Sequence, residues 1–543
     1  MLETLTLAEQ VAQMLVVRAS GHLFDHQIRT RIWEPPAATL RHWLTDLGVG
    51  GVIFVDGSAA EMAIRCQVLQ SWAKVPLFLA ADVEEGVGQR FPGATWFPPP
   101  MALGAIAQHN PDQAQLYSQQ MGAITAQEAL AIGFNWILAP VVDINNNPEN
   151  PVINVRSFGE TPEVVSQLTT AFIQGARQYP VLTTAKHFPG HGDTAIDSHL
   201  ELPSLPHSVE RLHAVELPPF ISAIAAGVDA VMTAHLCIPA WDAKYPATLS
   251  PQILTGQLRE TLGFPGLIVT DALVMGAIAE EYGPEEASVL AVEAGADILL
   301  MTADPELTIQ AVCDAVAQGR IDKNRIADSV KRIEQAKQRI YGQELLRLPG
   351  RSASSPSISA TVNLDALSSP EATTTAHSIL RESMEQGGPI PLKMPATLAP
   401  NRNLILVNDL LNCPTLGNHT PAVSLPHQLG YQLQLLDRRT PAPDLPTAST
   451  EIPTLLQIFL RGNPFRGSAD LINLAHYWFK KLLKTESLQA LVVYGSPYTL
   501  DTFRPLLPPT VPYIFSYSQV PVAQAMVLET LFDVPYSDQV KFF

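Results

Sequence analysis

The sequence predicts an α/β protein with a (β/α)8 TIM-like barrel over residues 1–345, a linker over 346–370 and a smaller three-layer α/β/α domain over 371–543. Three observations carry this expectation. Eight short apolar runs recur through the first two thirds of the chain, helical patterns separate most of them, and polar side chains stand at their C-terminal ends.

The runs are 14–17, 51–55, 77–81, 136–142, 182–185, 230–234, 267–270 and 298–301, each rich in β-branched or other apolar residues. Helical patterns fall at 112–132, 161–178, 208–226, 251–262 and 284–294. Thr6-Leu7-Ala8-Glu9 reads as a capping box that opens the first helix. The helix expected over 325–340 sets Ile326, Val330, Ile333 and Ile340 on one stripe, which suits a helix closing the barrel. Asp56, Asp82, Asp143, Lys186 with His187, His235 and Asp271 mark the strand ends. An open doubly wound sheet would also place ligands there; the count of eight favours closure.

After Gly342 the composition changes, and Arg351-Ser352-Ala353-Ser354-Ser355-Pro356-Ser357 has the polar, proline-bearing character of a surface linker. Strands are expected beyond it at 404–407, 432–436, 455–459, 491–493 and 513–515. No dinucleotide or phosphate-loop fingerprint occurs there, and Tyr494-Gly495-Ser496-Pro497-Tyr498 reads as a turn with a packing role. No repeat of solenoid period is present.

Lys and Arg total 34 against 52 Asp and Glu, a formal charge of −18, which argues against nucleic acid or an anionic membrane as partner. Cys66, Cys237, Cys313 and Cys413 lack metal spacing and read as reduced core thiols. The opening Met1-Leu2-Glu3-Thr4 has no basic leader character, and no apolar run approaches the roughly 20 residues that span a bilayer. The expected location is the cytoplasm, without membrane insertion.

Chemistry concentrates in Lys186-His187-Phe188-Pro189-Gly190-His191-Gly192-Asp193, with Asp197-Ser198-His199 close behind. The preceding run, 181–185, reads as a buried strand that opens into a loop at this cluster. Three readings compete. A metal could draw on His187, His191, His199, Asp193 and Asp197, although Pro189 and Gly190 rule out a His-x-x-x-His helix. The histidines could merely bond to backbone. The third reading is acid–base catalysis, with Asp197 orienting His199 and favouring its protonated form from a starting pKa of about 6.5.

Asp271, directly after an apolar run, could cap a helix beginning near Ala272. Set opposite a protonated histidine, it could instead attack or stabilise the cationic centre of an acetal. Asp82, Arg156, Lys186 and His187 then suit a ring of donors and acceptors around a polyhydroxylated ligand. The bland alternatives are an Asp82–Arg90 ion pair, a Lys186–Asp143 ion pair, and His235 as support behind the site.

The cluster at 186–199 resembles the signature of the bacterial β-N-acetylglucosaminidases of glycoside hydrolase family 3. Gly266-Leu267-Ile268-Val269-Thr270-Asp271-Ala272-Leu273-Val274-Met275-Gly276 is similar to that family's nucleophile segment. Pro151-Val152-Ile153 through Arg156-Ser157-Phe158-Gly159-Glu160 resembles its substrate-arginine segment, and 5–17 its first helix and strand. The resemblance covers roughly residues 1–342, with the motifs in family order. It implies that Asp271 is the nucleophile of a retaining double displacement and that His199, supported by Asp197, is the acid–base residue. It implies that Asp82, Arg156, Lys186 and His187 bind the terminal sugar, and it implies no metal and no cofactor.

One motif departs from the family. Asp82-Val83-Glu84-Glu85-Gly86-Val87-Gly88-Gln89-Arg90 stands where the family tends to have Asp-x-Glu-Gly-Gly-x-Val-x-Arg, which touches the aglycone side of the pocket. The C-terminal part resembles, more weakly, the second domain of longer members. In two-domain β-glucosidases of the same superfamily a carboxylic acid from that domain serves as acid; in this chain the Asp197–His199 pair makes such a donor unnecessary, so the second domain is expected to carry no essential catalytic residue. The resemblance implies hydrolysis of terminal β-linked N-acetylglucosamine, with muropeptides or related cell-wall fragments as the substrate class. The alternatives are a phosphorylase, in which phosphate replaces water before a histidine, a metal-dependent hydrolase, and a non-catalytic sugar-binding protein.

Overall fold

The apolar runs of the first two thirds become short, fully buried parallel strands. The computed structural model describes residues 2–194, 202–342, 362–393, 401–439, 452–461 and 469–535. Asp197 and His199 lie outside the described residues, as does most of the expected linker. Two units are resolved, Met1–Asn150 with Arg156–Ala376, and Pro151–Val155 with His377–Phe543.

In the first unit, β1 (Leu15–Ala19), β2 (Gly51–Phe54), β3 (Phe78–Ala81), β4 (Trp136–Ile137) and β8 (Leu299–Leu300) form a parallel sheet in the order β4-β3-β2-β1-β8. A second parallel sheet joins β5 (Thr184–Phe188), β6 (Ala230–Thr233) and β7 (Leu267–Val269). Isolated parallel bridges, Trp136↔Leu182 and Val141↔Lys186 on one side and Val269↔Ile298 on the other, link the two sheets. Strand five starts and ends later than 182–185, so Lys186 and His187 lie within the strand and not in the loop after it. The buried network described below rewards extended backbone there, and a register shift between Lys186 and Phe188 accommodates it.

The capping box at Thr6 is present: Thr6 Oγ1 accepts from Glu9 N and the Glu9 carboxylate accepts from Thr6 N. The helical pattern at 208–226 divides into Val209–Arg211, a π-wound turn Leu212–Glu216 and Pro218–Ala225, because the paired prolines cannot donate into the preceding turn. No helix begins at Ala272. It begins at Gly276 after Met275, so Asp271 is not its cap. The helix expected over 325–340 runs Lys323–Tyr341 and buries Ile326, Val330, Ile333 and also Lys337, whereas Ile340 is only half-buried.

The last part of the expected linker packs on the first unit: Asn363 N donates to the Ala131 carbonyl, and Ser368 N to Glu128 Oε1. Glu128 is buried, and burial pushes its carboxyl pKa up against the hydrogen bonds from Thr95 and Ser368.

The second unit carries a six-stranded sheet, ordered β11 (Tyr431–Asp437), β10 (Asn401–Val407), β12 (Thr454–Leu460), β13 (Leu488–Gly495), β14 (Tyr513–Ser516), β9 (Glu385–Gly387). All neighbours are parallel except β9, a short polar edge strand that composition does not announce. Ile405, Leu455, Val492 and Ile514 face the helices Pro421–Gln428 and Pro521–Phe532. Their sequence neighbours point to the other face, where Arg402 lies over the Trp478 ring of helix Ala469–Lys484. Tyr494 and Gly495 end β13 and a helix opens at Pro497, so the expected turn contracts to Ser496; Tyr494 is nevertheless in a packing position, buried, with its hydroxyl 3.3 Å from Gln457 Oε1.

All four cysteines are free; Cys66 is buried and the other three are half-buried, less enclosed than core thiols. Among the described residues no helix is long and apolar enough to cross a membrane.

Candidate active site

Asp82 follows β3 directly, and two residues on, Glu84 turns into the interior. Its carboxylate receives Arg156 twice, Nε to Oε2 and Nη2 to Oε1, both at 2.8 Å. Lys186 Nζ, projecting from β5, lies 2.6 Å from Glu84 Oε1 and 2.6 Å from Asp82 Oδ1. Burial opposes ionisation of Glu84, but the charges of Arg156 and Lys186 outweigh it and hold the carboxyl well below its ordinary value. Burial works against Lys186 and Arg156 too, and the carboxylates raise both above their usual values, so all three stay charged. The Asp82 side chain is 30% exposed while those of Lys186 and Glu84 are 2% and 5%. The open part of this network is therefore Asp82, which can accept from a ligand hydroxyl.

Asp143, beyond β4, is fully enclosed. It accepts from the backbone N–H of His187 at 3.1 Å and of His191 at 2.7 Å, and its Oδ2 meets His187 Nδ1 at 2.7 Å. Burial raises the Asp143 carboxyl, yet the histidines and backbone donors leave it below the ordinary value. That contact places the proton of His187 on Nδ1 if the ring is neutral and presents Nε2 as the other functional atom. Burial drives His191 down to about 4, so its ring is neutral near pH 7.

These contacts correct two simple pairings. Asp82 does not pair with Arg90 through its carboxylate; Arg90 Nε reaches only the Asp82 carbonyl, at 3.3 Å, because Lys186 takes the side chain. Lys186 pairs with Asp82 and Glu84 and not with Asp143, which His187 occupies.

In the second sheet, Asp271 follows β7, half-buried, with Oδ1 accepting from Ala272 N at 2.7 Å. His235, after β6, presents Nε2 to the Ala272 carbonyl at 3.2 Å, which fixes a proton there and leaves Nδ1 facing Thr248 Oγ1 at 2.8 Å. The imidazole thus props the backbone that carries Asp271. Asp82, Arg156 and Lys186 form one network, His187 joins Asp143, and His235 supports Asp271. The proposed partners Asp197 and His199 are outside the described residues.

Glu84 and Asp143 are the residues whose importance sequence reasoning missed. Glu84 was visible within the Asp82-Val83-Glu84 motif, where an i, i+2 carboxylate shares the face of Asp82 when the chain is extended. Among the described residues His187 and His191 belong to no group of three possible metal ligands, whereas Asp193 of the same cluster meets His207 and Glu216.

Residues 6–336 match the Glycosyl hydrolase family 3 N terminal domain, and 395–533 the Bacterial Glycosyl hydrolase family 3 C-terminal domain. The chain belongs to glycosyl hydrolase family 3 and is a glycoside hydrolase. It is similar to beta-hexosaminidase A of Pseudoalteromonas piscicida, 30% identical over 519 residues that span 85% of this chain and 82% of that protein. It is also similar to the solved structure of a family 3 beta-N-acetylglucosaminidase from Paenibacillus sp. str. FPU-7, with a TM-score of 0.79, 30% identity, and 98% and 97% of the two chains covered. A beta-glucoside phosphorylase bound to 2FGlc aligns with a TM-score of 0.79 over 98% of this chain and 93% of that one; at 24% identity it shows the shared fold alone.

Proposed function

We propose that this enzyme is a retaining exo-glycosidase that releases terminal β-linked N-acetylglucosamine, with muropeptides or related cell-wall fragments as its substrates in the cytoplasm. The observation that carries this reading is the likeness, over almost the whole chain, to a beta-N-acetylglucosaminidase. The polar ring at the strand ends supports it. The bridges between the two sheets of the first unit support a closed (β/α)8 barrel, whose C-terminal rim would gather Asp82, Arg156, Lys186, His187 and Asp271.

In this mechanism Asp82, Arg156, Lys186 and His187 hold the hydroxyls of the terminal sugar. Asp271 attacks the anomeric carbon while His199, oriented by Asp197, protonates the departing oxygen. Water then opens the glycosyl-aspartate, with His199 taking its proton. His235 acts through the Ala272 carbonyl and keeps Asp271 aimed. No cofactor or metal enters these steps.

Replacing Asp271 by Ala should abolish turnover of aryl β-N-acetylglucosaminides. Replacing His199 by Ala should lower kcat/KM by about 10²–10⁴ for alkyl or disaccharide substrates and far less for aryl glycosides with acidic leaving groups. Near-normal rates in the first variant, or equal losses across leaving groups in the second, would end the assignment. Running the assay with added phosphate separates hydrolase from phosphorylase: free sugar supports the first, sugar phosphate the second.

A further inference from the structure

The segment that bears Asp197 and His199 begins after Asp193 and ends before His207, and its two ends meet. Asp193 Oδ2 lies 2.9 Å from His207 Nε2. Glu216, at the end of the turn Leu212–Glu216, brings a third group to the same point, and one ligand atom from each of the three lies within 4.8 Å of the others. Arg211 Nη2 spans the carboxylates, 3.2 Å from Asp193 Oδ2 and 3.2 Å from Glu216 Oε1.

That arrangement leaves one oxygen unsatisfied. Glu216 Oε2 is buried without a hydrogen-bond partner among the described residues, on a side chain only 5% exposed. A buried carboxylate oxygen left bare is costly. Its position is fixed by packing: a Cβ added at Gly190, whose φ is +131°, would stand 3.0 Å from Glu216 Cβ and 3.1 Å from its Cγ. The glutamate stem therefore packs closely against Gly190, in space that a side chain there would fill.

We propose that Asp193, His207 and Glu216 form a divalent-cation site of the zinc type that ties together the two ends of the segment bearing Asp197 and His199. One imidazole nitrogen and two carboxylates suit a borderline cation and leave a fourth position for water, whereas calcium prefers oxygen ligands alone. Asp193 and His207 are each about a quarter exposed, which gives an ion a path from solvent. Arg211 is more exposed still, and its guanidinium occupies the same carboxylates as the ion would, so the two cations compete. The role is structural. Its bearing on catalysis rests on the assignment of His199, but the site itself does not.

The test is calorimetric titration of the chelator-treated full chain with zinc chloride, with Tm followed in parallel. A single zinc equivalent and a rise in Tm are expected in the wild type, with both lost in His207→Ala and in the isosteric Glu216→Gln, and no response to calcium chloride. Arg211→Ala should bind zinc about two- to fivefold more tightly, the scale of one partly exposed ion pair. Circular dichroism identifies variants that fold. Equal zinc binding in the wild type and folded variants, no zinc binding in the wild type, or weakened binding in Arg211→Ala would overturn the proposal. None of these readouts depends on glycosidase activity, so failure here leaves the proposed function untouched, and the reverse.

Discussion

At the scale of single residues, Glu84 is the carboxylate that Arg156 and Lys186 share: both cations are buried against it, with Asp82 as a second partner of Lys186. Glu84→Gln keeps the shape and removes the charge. It should cost about 3–5 kcal/mol of stability, the scale of a broken buried ion pair, and lower kcat/KM as Arg156 and Lys186 lose their positions. Urea denaturation and steady-state kinetics on the same variant check both parts. A variant as stable as the wild type would mean that Asp82 alone balances the two cations. Asp82, Lys186 and His187 were legible as polar residues at the ends of apolar runs, whereas Arg156 lies well past the run 136–142 and was legible through the resemblance of 151–160 to a family segment. Their partners were not, because Glu84 and Arg156 stand 72 positions apart and spacing says nothing of such a contact.

Strands were read from local pattern where their faces are uniformly buried, as in β2, β3 and β10, each of which lies on or within the expected run or extends it by a few residues. The β9 edge strand escaped because Glu385, Gln386 and Gly387 carry no apolar signal and join the sheet at its edge by antiparallel pairing with β14. The helix Lys323–Tyr341 shows the same limit. Its apolar stripe predicts Ile340 inside, yet Lys337 is the fully buried residue, with Nζ 2.7 Å from Gln13 Oε1, 3.2 Å from the Gly50 carbonyl and lying over the Phe78 ring. The same helix is tied down by Asp297, which accepts from Ser329 at 2.6 Å and Arg332 at 3.0 Å. Burial drives the Lys337 ammonium down to about 7. The unfolded lysine holds its proton to about pH 10.4, so between these values the unfolded state binds more protons and stability rises with pH. The penalty is fully present below pH 7 and vanishes towards pH 10. Comparing the wild type with Lys337→Met by urea denaturation from pH 6.5 to 9.5 should show the wild type gaining on the variant by about 3 kcal/mol. A difference independent of pH would show that the ammonium stays charged in the folded state.

At the scale of the whole chain, two family domains are joined in one polypeptide, and the second has a sheet and core of its own. Our reading gives it no essential catalytic residue, since a histidine on the first domain supplies the acid. The carboxylates at its strand ends have local occupations. Asp409, after β10, accepts from Leu411 N and Asn412 Nδ2 and pairs with Arg439 at 3.0 Å. Asp437, closing β11, accepts from Leu410 N and Arg439 N. Glu385 on β9 pairs with Arg504 at 3.0 Å. Groups already committed to turns and edges are poorly placed to give up a proton in each cycle. Asp409→Asn, Asp437→Asn and Glu385→Gln should each keep kcat on a poorly activated glycoside within about threefold of the wild type, and the first two should lose stability at the β10 and β11 ends. A fall of about 10² or more in any of them, relieved on substrates with acidic leaving groups, would move the general acid from His199 to the second domain.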